Sequence, residues 1–234
     1  MSGDKLPTKS ASTDVDAFLR DLNHAPMVQP GGGRGRLIFA LDATASREPT
    51  WDRACRIQGE MFEATAALGG LDVRLIFYRG FDECKASRWM QNAAELQRAM
   101  RAVSCVGGET QIERVLEHAI GETKKQRVHA LVFVGDAMEE NVDRLGKLAG
   151  ELGLLGTPVF VFHEGNNAVA GAAFQQIAKL SRGAYLRFDL ASADRLKELL
   201  AAVAVYAAGG YRALADYSAK KGGEIRLLTA QLRG

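Results

Sequence analysis

Five oxygen-bearing side chains fall into three short polar segments of the sequence. Asp42, Thr44 and Ser46 alternate in the segment DATAS, directly after an apolar run. Thr110 lies in GGET, and Asp136 ends the segment VGD after another apolar run. Two carboxylates and three hydroxyls, without a Cys or His among them, are hard oxygen ligands of the kind that Mg²⁺ or Mn²⁺ takes. The set therefore predicts a site for one divalent cation.

The elements that must position these residues are short apolar runs alternating with helical patterns. The runs 37–41, 73–78, 130–134 and 158–162, and the weaker run 184–188, are typical of strands that are covered on both faces. Apolar spacing predicts helices at about 50–68, 92–103, 112–120, 142–153, 168–181 and 192–208. Alternating strands and helices predict a doubly wound, three-layer αβα sandwich around a mostly parallel sheet.

One connection is too short for a crossover helix. Between the run 73–78 and the helix near 92 lies little more than RGFDECKASRW, so residues 83–87 are predicted to form an antiparallel strand at the sheet edge. The resulting six-stranded order is 3-2-1-4-5-6. The first and fourth strands are then neighbours, and their carboxyl ends flank the crevice where ligands bind in this architecture. Asp42 and Asp136 follow those two strands.

Composition argues against several classes of protein, namely nucleic-acid-binding, membrane-spanning and disulfide-rich secreted proteins. The chain has 234 residues, 47% hydrophobic, and a net charge of +2, so it can bury one core and carries no field that favours nucleic acid. No apolar run reaches the roughly 20 residues that span a membrane. The first residues lack the apolar core of a signal peptide, and three scattered cysteines fit no disulfide framework. We expect a cytoplasmic location; the oligomeric state stays open.

Composition also divides the chain. Residues 1–35 are predicted to be a tail with a short helix at 13–23 and a glycine-rich linker, and residues 36–208 the main domain. Residues 209–234 form an extension whose apolar end, IRLLTAQL, either docks on the domain or awaits a partner.

From about residue 36 to 208 the chain resembles von Willebrand factor A-type (vWA) domains with a metal-ion-dependent adhesion site. The signature of that family is D-x-S-x-S after the first strand, a threonine in a glycine-containing loop, and an aspartate after the fourth strand. The resemblance implies that Thr44, Ser46 and Thr110 bind the metal directly, while Asp42 and Asp136 act through water. It also implies that a protein partner supplies an acidic residue to the metal, and that the chain is a scaffold or regulator without catalysis.

The sequence departs from the family pattern at a few positions. Thr44 replaces the first serine but keeps the hydroxyl. Glu109 beside Thr110, and Glu139 and Glu140 after Asp136, add carboxylates near the site. We take Glu109 and Glu139 as candidate partner-binding residues.

Two alternatives remain open at this point. A haloacid dehalogenase-like, Mg²⁺-dependent phosphatase also places an aspartate nucleophile, here Asp42, after its first strand. Such enzymes usually carry a second aspartate two positions later as a general acid, and Thr44 cannot act as that acid at neutral pH. In the other alternative no ion binds, Thr44 and Ser46 cap the next helix, and the two aspartates bond loop amides.

Overall fold

A computed structural model of the protein describes residues 34–188 and 193–232, and its centre is one six-stranded sheet. The strand order is β3-β2-β1-β4-β5-β6, and β3 runs antiparallel to β2 while the other pairs are parallel. The strands are β1 (Gly35–Asp42), β2 (Leu71–Arg79), β3 (Glu83–Met90), β4 (Ala130–Gly135), β5 (Val159–Glu164) and β6 (Ala184–Phe188). The predicted fold class and strand order are confirmed.

Helices cover both faces of this sheet. They are α1 (Glu48–Ile57), α2 (Gly59–Thr65), α3 (Ala93–Arg101), α4 (Ile112–Lys125), α5 (Val142–Leu154), α6 (Ala168–Leu180), α7 (Ala193–Lys221) and α8 (Gly223–Gln231). Alternate residues of β1 divide the core: Leu37, Phe39 and Leu41 face α1, α2, α3, α7 and α8, and Ile38 and Ala40 face α4, α5 and α6. All eight residues of β1 are buried, as expected for a central strand of a sheet covered on both sides.

Two helices differ from the sequence prediction. The helix expected over 50–68 is interrupted at Gln58, directly before Gly59 begins α2, because glycine is a poor helix former. The helix expected over 192–208 continues as α7 to Lys221, with a kink at Gly210, whose φ of 71° is a left-handed conformation that glycine adopts without strain.

The end of the described chain packs against the sheet. Ile225 and Leu228 of α8 are buried in the core. The side-chain amide of Gln231 accepts a hydrogen bond from the Tyr185 N–H at 2.8 Å and donates one to its carbonyl at 3.0 Å, so it satisfies the backbone of the edge strand β6.

The predicted helix at 13–23 and nearly all of the glycine-rich linker lie outside the described residues. Among the helices of the described ranges, none is both long and apolar enough to cross a membrane.

Candidate metal centre

The DATAS segment leaves the sheet beside the end of β4. Leu41 pairs with Val134, so Asp42 and the Gly135–Asp136 turn emerge next to each other. Asp42 is only 3% exposed, and its Oδ1 accepts the Thr44 N–H at 2.7 Å. This bond curves the backbone, so that alternate side chains of the loop lie on one side.

The hydroxyls of Thr44 and Ser46 form the clearest pair of possible ligands. Their Oγ1 and Oγ atoms lie 3.5 Å apart. Neighbouring ligands of an octahedral Mg²⁺, each about 2.1 Å from the ion, are separated by about 3 Å, so this spacing is close to what a shared cation needs. Thr44 precedes a 3₁₀ turn (Ala45–Arg47), yet its side chain makes no capping hydrogen bond. Of the alternative without an ion, the capping role of Thr44 is therefore not seen, whereas Asp42 does bond a loop amide, that of Thr44.

Thr110 is held by the loop that follows β4. Its hydroxyl donates to Glu139 Oε2 at 3.0 Å and accepts the Glu139 N–H at 3.2 Å, and its own N–H donates to the same carboxylate oxygen at 3.0 Å. A hydroxyl has one donor and two acceptor lone pairs, so one lone pair of Thr110 remains for a metal. The neighbouring Glu140 accepts the N–H groups of Ile112 and Glu113 at 2.6 and 2.8 Å, at the positive end of α4.

The loop that carries Thr110 is also tied to the DATAS segment and to the end of β2. The Val106 N–H donates to the Ala43 carbonyl at 3.0 Å, and the Glu109 N–H donates to the Gly80 carbonyl at 3.1 Å. A Cβ on Gly108 would lie 2.0 Å from the Gly80 oxygen, so only glycine allows this approach. The three polar segments therefore meet at one end of the sheet.

Negative charge exceeds positive charge at this end. Burial raises the pKa of the Asp42 carboxyl, against the hydrogen bonds from Thr44 and the charge of Arg47, and the nearby Asp136 raises it further. Arg47 Nη1 lies 3.6 Å from Asp136 Oδ2, and Arg47 Nη2 contacts Glu164 Oε2. One guanidinium thus faces three carboxylates, which leaves a charge that a dication would neutralise.

The donor set fits a divalent ion held largely by hydroxyls. In the ranges that the structure describes, no three His, Cys, Asp or Glu side chains converge as metal ligands. Zinc sites usually draw on Cys and His, whereas oxygen-only sets suit Mg²⁺ or Mn²⁺.

Comparison with known proteins shows which solved structures share this fold. The sequence matches no known protein-family model and no curated protein. The structure is similar to a von Willebrand factor type A protein from Catenulispora acidiphila, with a TM-score of 0.59 and 13% identity over 72% of this chain and 42% of that one. It is also similar to the VWA domain of SpRpn10, with a TM-score of 0.55 and 14% identity over 70% of this chain and 95% of that one.

A third solved structure concerns the metal directly. Proximal thread matrix protein 1 from the mussel byssus, with a zinc-occupied MIDAS motif, matches with a TM-score of 0.57 and 14% identity over 72% of this chain and 45% of that one. The present chain has a vWA fold. It spans less than half the length of the bacterial and mussel chains and nearly all of the SpRpn10 domain. These likenesses do not favour the phosphatase alternative.

Within this vWA fold, the five predicted ligands are brought together to different degrees. Thr44 contacts both Asp42 and Ser46, and Asp136 lies close enough to influence the Asp42 pKa. Thr110 joins them through the backbone bonds of its loop and through Glu139. Their role as metal ligands stays a prediction.

Two charged residues at the site were missed by the sequence reasoning. Arg47 directly follows Ser46, and Glu164 ends β5, so both adjoin segments at the carboxyl edge of the sheet. That adjacency was the available signal. Of the two residues predicted to bind a partner, Glu109 is exposed, and Glu139, also exposed, uses its carboxylate to hold Thr110.

Proposed function

We propose that the protein is a divalent-metal-dependent protein-binding module. Thr44, Ser46 and Thr110 bind Mg²⁺ or Mn²⁺ directly, and Asp42 and Asp136 supply charge and hold water molecules around the ion. The observation that carries this proposal is the buried Asp42 carboxylate, whose pKa burial raises, beside a pair of hydroxyls 3.5 Å apart. The chain acts by binding, as a scaffold or regulator of an intracellular complex, and not by catalysis.

The donor chemistry explains why such a metal recruits a protein. Neutral hydroxyl ligands add no charge to the ion, so it remains electrophilic enough to take a carboxylate from a partner. The zinc-occupied MIDAS motif of the mussel protein supports a divalent ion at this place in the fold.

Exposed apolar residues beside the site support a protein partner. Phe81 is 72% exposed and Val106 is 46% exposed. Both lie in the loops that the Gly80–Gly108 contact joins next to Thr110. Aromatic residues around a polar centre are typical of protein interfaces. We infer a partner segment that places an acidic side chain on the metal and an apolar side chain against Phe81, with Glu109 and Glu139 at the rim.

Calorimetric titration with MgCl₂ and with MnCl₂ tests the metal site. Wild type should bind one ion per chain, and Asp42→Ala should abolish the binding heat. Asp82→Ala is the matched control, because its side chain is 87% exposed on the turn after β2 and should leave binding unchanged. Equal heats in wild type and Asp42→Ala would contradict the proposal.

Affinity capture with the whole chain tests the partner surface. A specific partner should be retained in Mg²⁺ and released by chelator, and it should be lost with Thr110→Ala and with Phe81→Ser. Leu154→Ser is the control for the apolar change, since Leu154 is 84% exposed at the C-terminal end of α5. This is the opposite end of the sheet, where the Thr157 hydroxyl donates to the Val128 carbonyl just before β4. A partner held equally in chelator would show that binding does not depend on metal.

A further inference from the structure

Arg47 is an unusual residue to find beside a predicted cation site. Its side chain is 3% exposed, and it reaches two carboxylates on different strands. One is Asp136, a predicted metal residue after β4, and the other is Glu164 at the end of β5. Glu164 is itself 6% exposed and accepts the Thr50 hydroxyl at 2.5 Å.

The position of Arg47 follows from the local chain. It ends the 3₁₀ turn that begins within DATAS at Ala45, and α1 begins at the next residue with Pro49 in its first turn. This short, stiff connection points the side chain back over the ends of β4 and β5. A buried guanidinium needs carboxylate partners, because an unpaired buried charge strongly destabilises the fold.

A fixed positive charge and a metal ion compete for the same carboxylates. Arg47 pairs with Asp136 and its charge also acts on Asp42, so it stabilises the negative charges that a metal would otherwise neutralise. A guanidinium and a dication several ångströms apart repel each other, and the repulsion is stronger at the lower effective dielectric of a protein than in water.

We propose that Arg47 is a tethered cation that neutralises part of the negative charge of the site and thereby sets the affinity of the site for metal. Glu164 and Thr50 hold the guanidinium in place, and Glu164 draws it away from Asp136. In the metal-free protein Arg47 partly balances the carboxylates, and a metal ion binds only at a concentration high enough to overcome its repulsion by Arg47. This inference rests on the proposed metal site and adds to it a residue that regulates occupancy.

The proposal predicts opposite effects for the two partners of one ion pair. Arg47→Gln removes the competing charge and should tighten Mn²⁺ binding by about tenfold or more. Glu164→Gln leaves Arg47 charged with Asp136 as its remaining acidic contact and should weaken Mn²⁺ binding by several-fold. Arg47→Lys keeps the charge without the forked geometry and should stay near wild type.

Calorimetric Mn²⁺ titration and the metal-induced rise in melting temperature are the two readouts. Arg114→Gln is the matched control, because Arg114 is half-exposed in the first turn of α4 and pairs with Asp82. It removes the same net charge from the protein and should leave Mn²⁺ affinity unchanged. A purely structural Arg47–Glu164 pair would make both site variants bind equally well or more weakly.

The outcomes separate this inference from the proposed function. If wild type binds no metal, the proposed function fails and this inference falls with it. If wild type binds metal but Arg47→Gln binds no more tightly, only this inference is overturned. Should Arg47→Gln fail to fold, the double variant Arg47→Gln/Glu164→Gln decides, because it leaves neither charge of the pair unpartnered: tighter binding than in Glu164→Gln alone supports the tethered cation, and equal or weaker binding overturns it.

Discussion

The two ends of the sheet both carry arginines and carboxylates, but in opposite proportions. At the amino end, Glu122 receives a hydrogen bond from Arg74 at 2.7 Å, from Trp89 at 3.2 Å and from Lys125 at 2.9 Å. Arg36 stacks over the Trp89 ring, 4.0 Å from its centroid, and lies 4.0 Å from Glu122. Three cations thus surround one carboxylate, and the Trp89 ring lies against the two arginines.

At the carboxyl end the balance is reversed. Arg47 pairs with Asp136 and Glu164 and its charge also acts on Asp42, so one guanidinium serves three carboxylates beside the Thr44 and Ser46 hydroxyls. The comparison shows that buried charge alone does not mark a functional site. A carboxylate whose bonds are all taken is structural, whereas surplus carboxylates beside uncommitted hydroxyls form a place for an added cation.

The largest effect is expected from breaking the amino-end network. Glu122→Ala removes the carboxylate that pairs with Arg36 and Arg74. The free energy of unfolding should fall by about 3 kcal/mol, because both buried charges lose their partner. Urea denaturation measures this loss, which should be the same with and without Mg²⁺. Glu117→Ala on the same helix is half-exposed and should change stability little. Equal losses in the two variants would contradict a structural role for the Glu122 network.

At the carboxyl end the expected effect depends on metal. Saturation at about 100 times the dissociation constant should stabilise wild type by about 2.7 kcal/mol, because the ion binds only the folded chain. Asp136→Asn should lose most of this increment, and Glu122→Ala should keep it in full. Thermal unfolding in Mg²⁺ and in chelator gives both values. If Asp136→Asn keeps the full stabilisation by Mg²⁺, the carboxyl end is not the metal site and does not differ from the amino end in this respect.

Variants of Glu139 test whether this residue acts on metal binding through Thr110 or through its own charge. Glu139→Ala removes the carboxylate that accepts the Thr110 hydroxyl and N–H, leaving the hydroxyl only its bond from the Glu139 N–H, and should weaken Mn²⁺ binding by about 1 kcal/mol, several-fold in affinity. Glu139→Gln keeps an acceptor for Thr110 and should lose less. If the two variants weaken Mn²⁺ binding equally, the charge of Glu139 matters and its positioning of Thr110 does not.

The smallest effect concerns pH at the amino end. Burial, with the charges of Arg127 and Arg36, lowers the pKa of His129 below its ordinary value, and the neutral ring accepts the Arg36 N–H at its Nδ1, 3.0 Å away. The unfolded chain therefore binds more protons below about pH 6.5. Stability should fall as the pH drops below that value through the folded pKa.

His129→Asn tests this origin, since its amide oxygen can accept the same N–H without titrating. The pH dependence of unfolding free energy between pH 7 and pH 5 should be shallower in this variant than in wild type. An unchanged slope would assign the dependence to other groups, such as His118, whose pKa burial also lowers.

Much of the fold could be predicted from the sequence because its signals are local. Continuous apolar runs identified β1, β2, β4 and β5, and the short connection after β2 required the antiparallel β3. The break after Gln58 and the length of α7 were not predicted, because a helix tolerates or rejects a glycine according to what packs around it. The five candidate ligands followed from the positions of strand ends, and their metal role awaits titration.

The sequence by itself determined which oxygen donors stand at the ends of strands, since side-chain type and strand periodicity are properties of neighbouring residues. Only the tertiary structure decided the charge balance around them. Arg47 meets Glu164, and Thr110 meets Glu139, because β4 and β5 lie side by side and α4 begins at the same edge. Buried charges interact strongly with whatever shares their space, and no local pattern in the chain records which distant segments those will be.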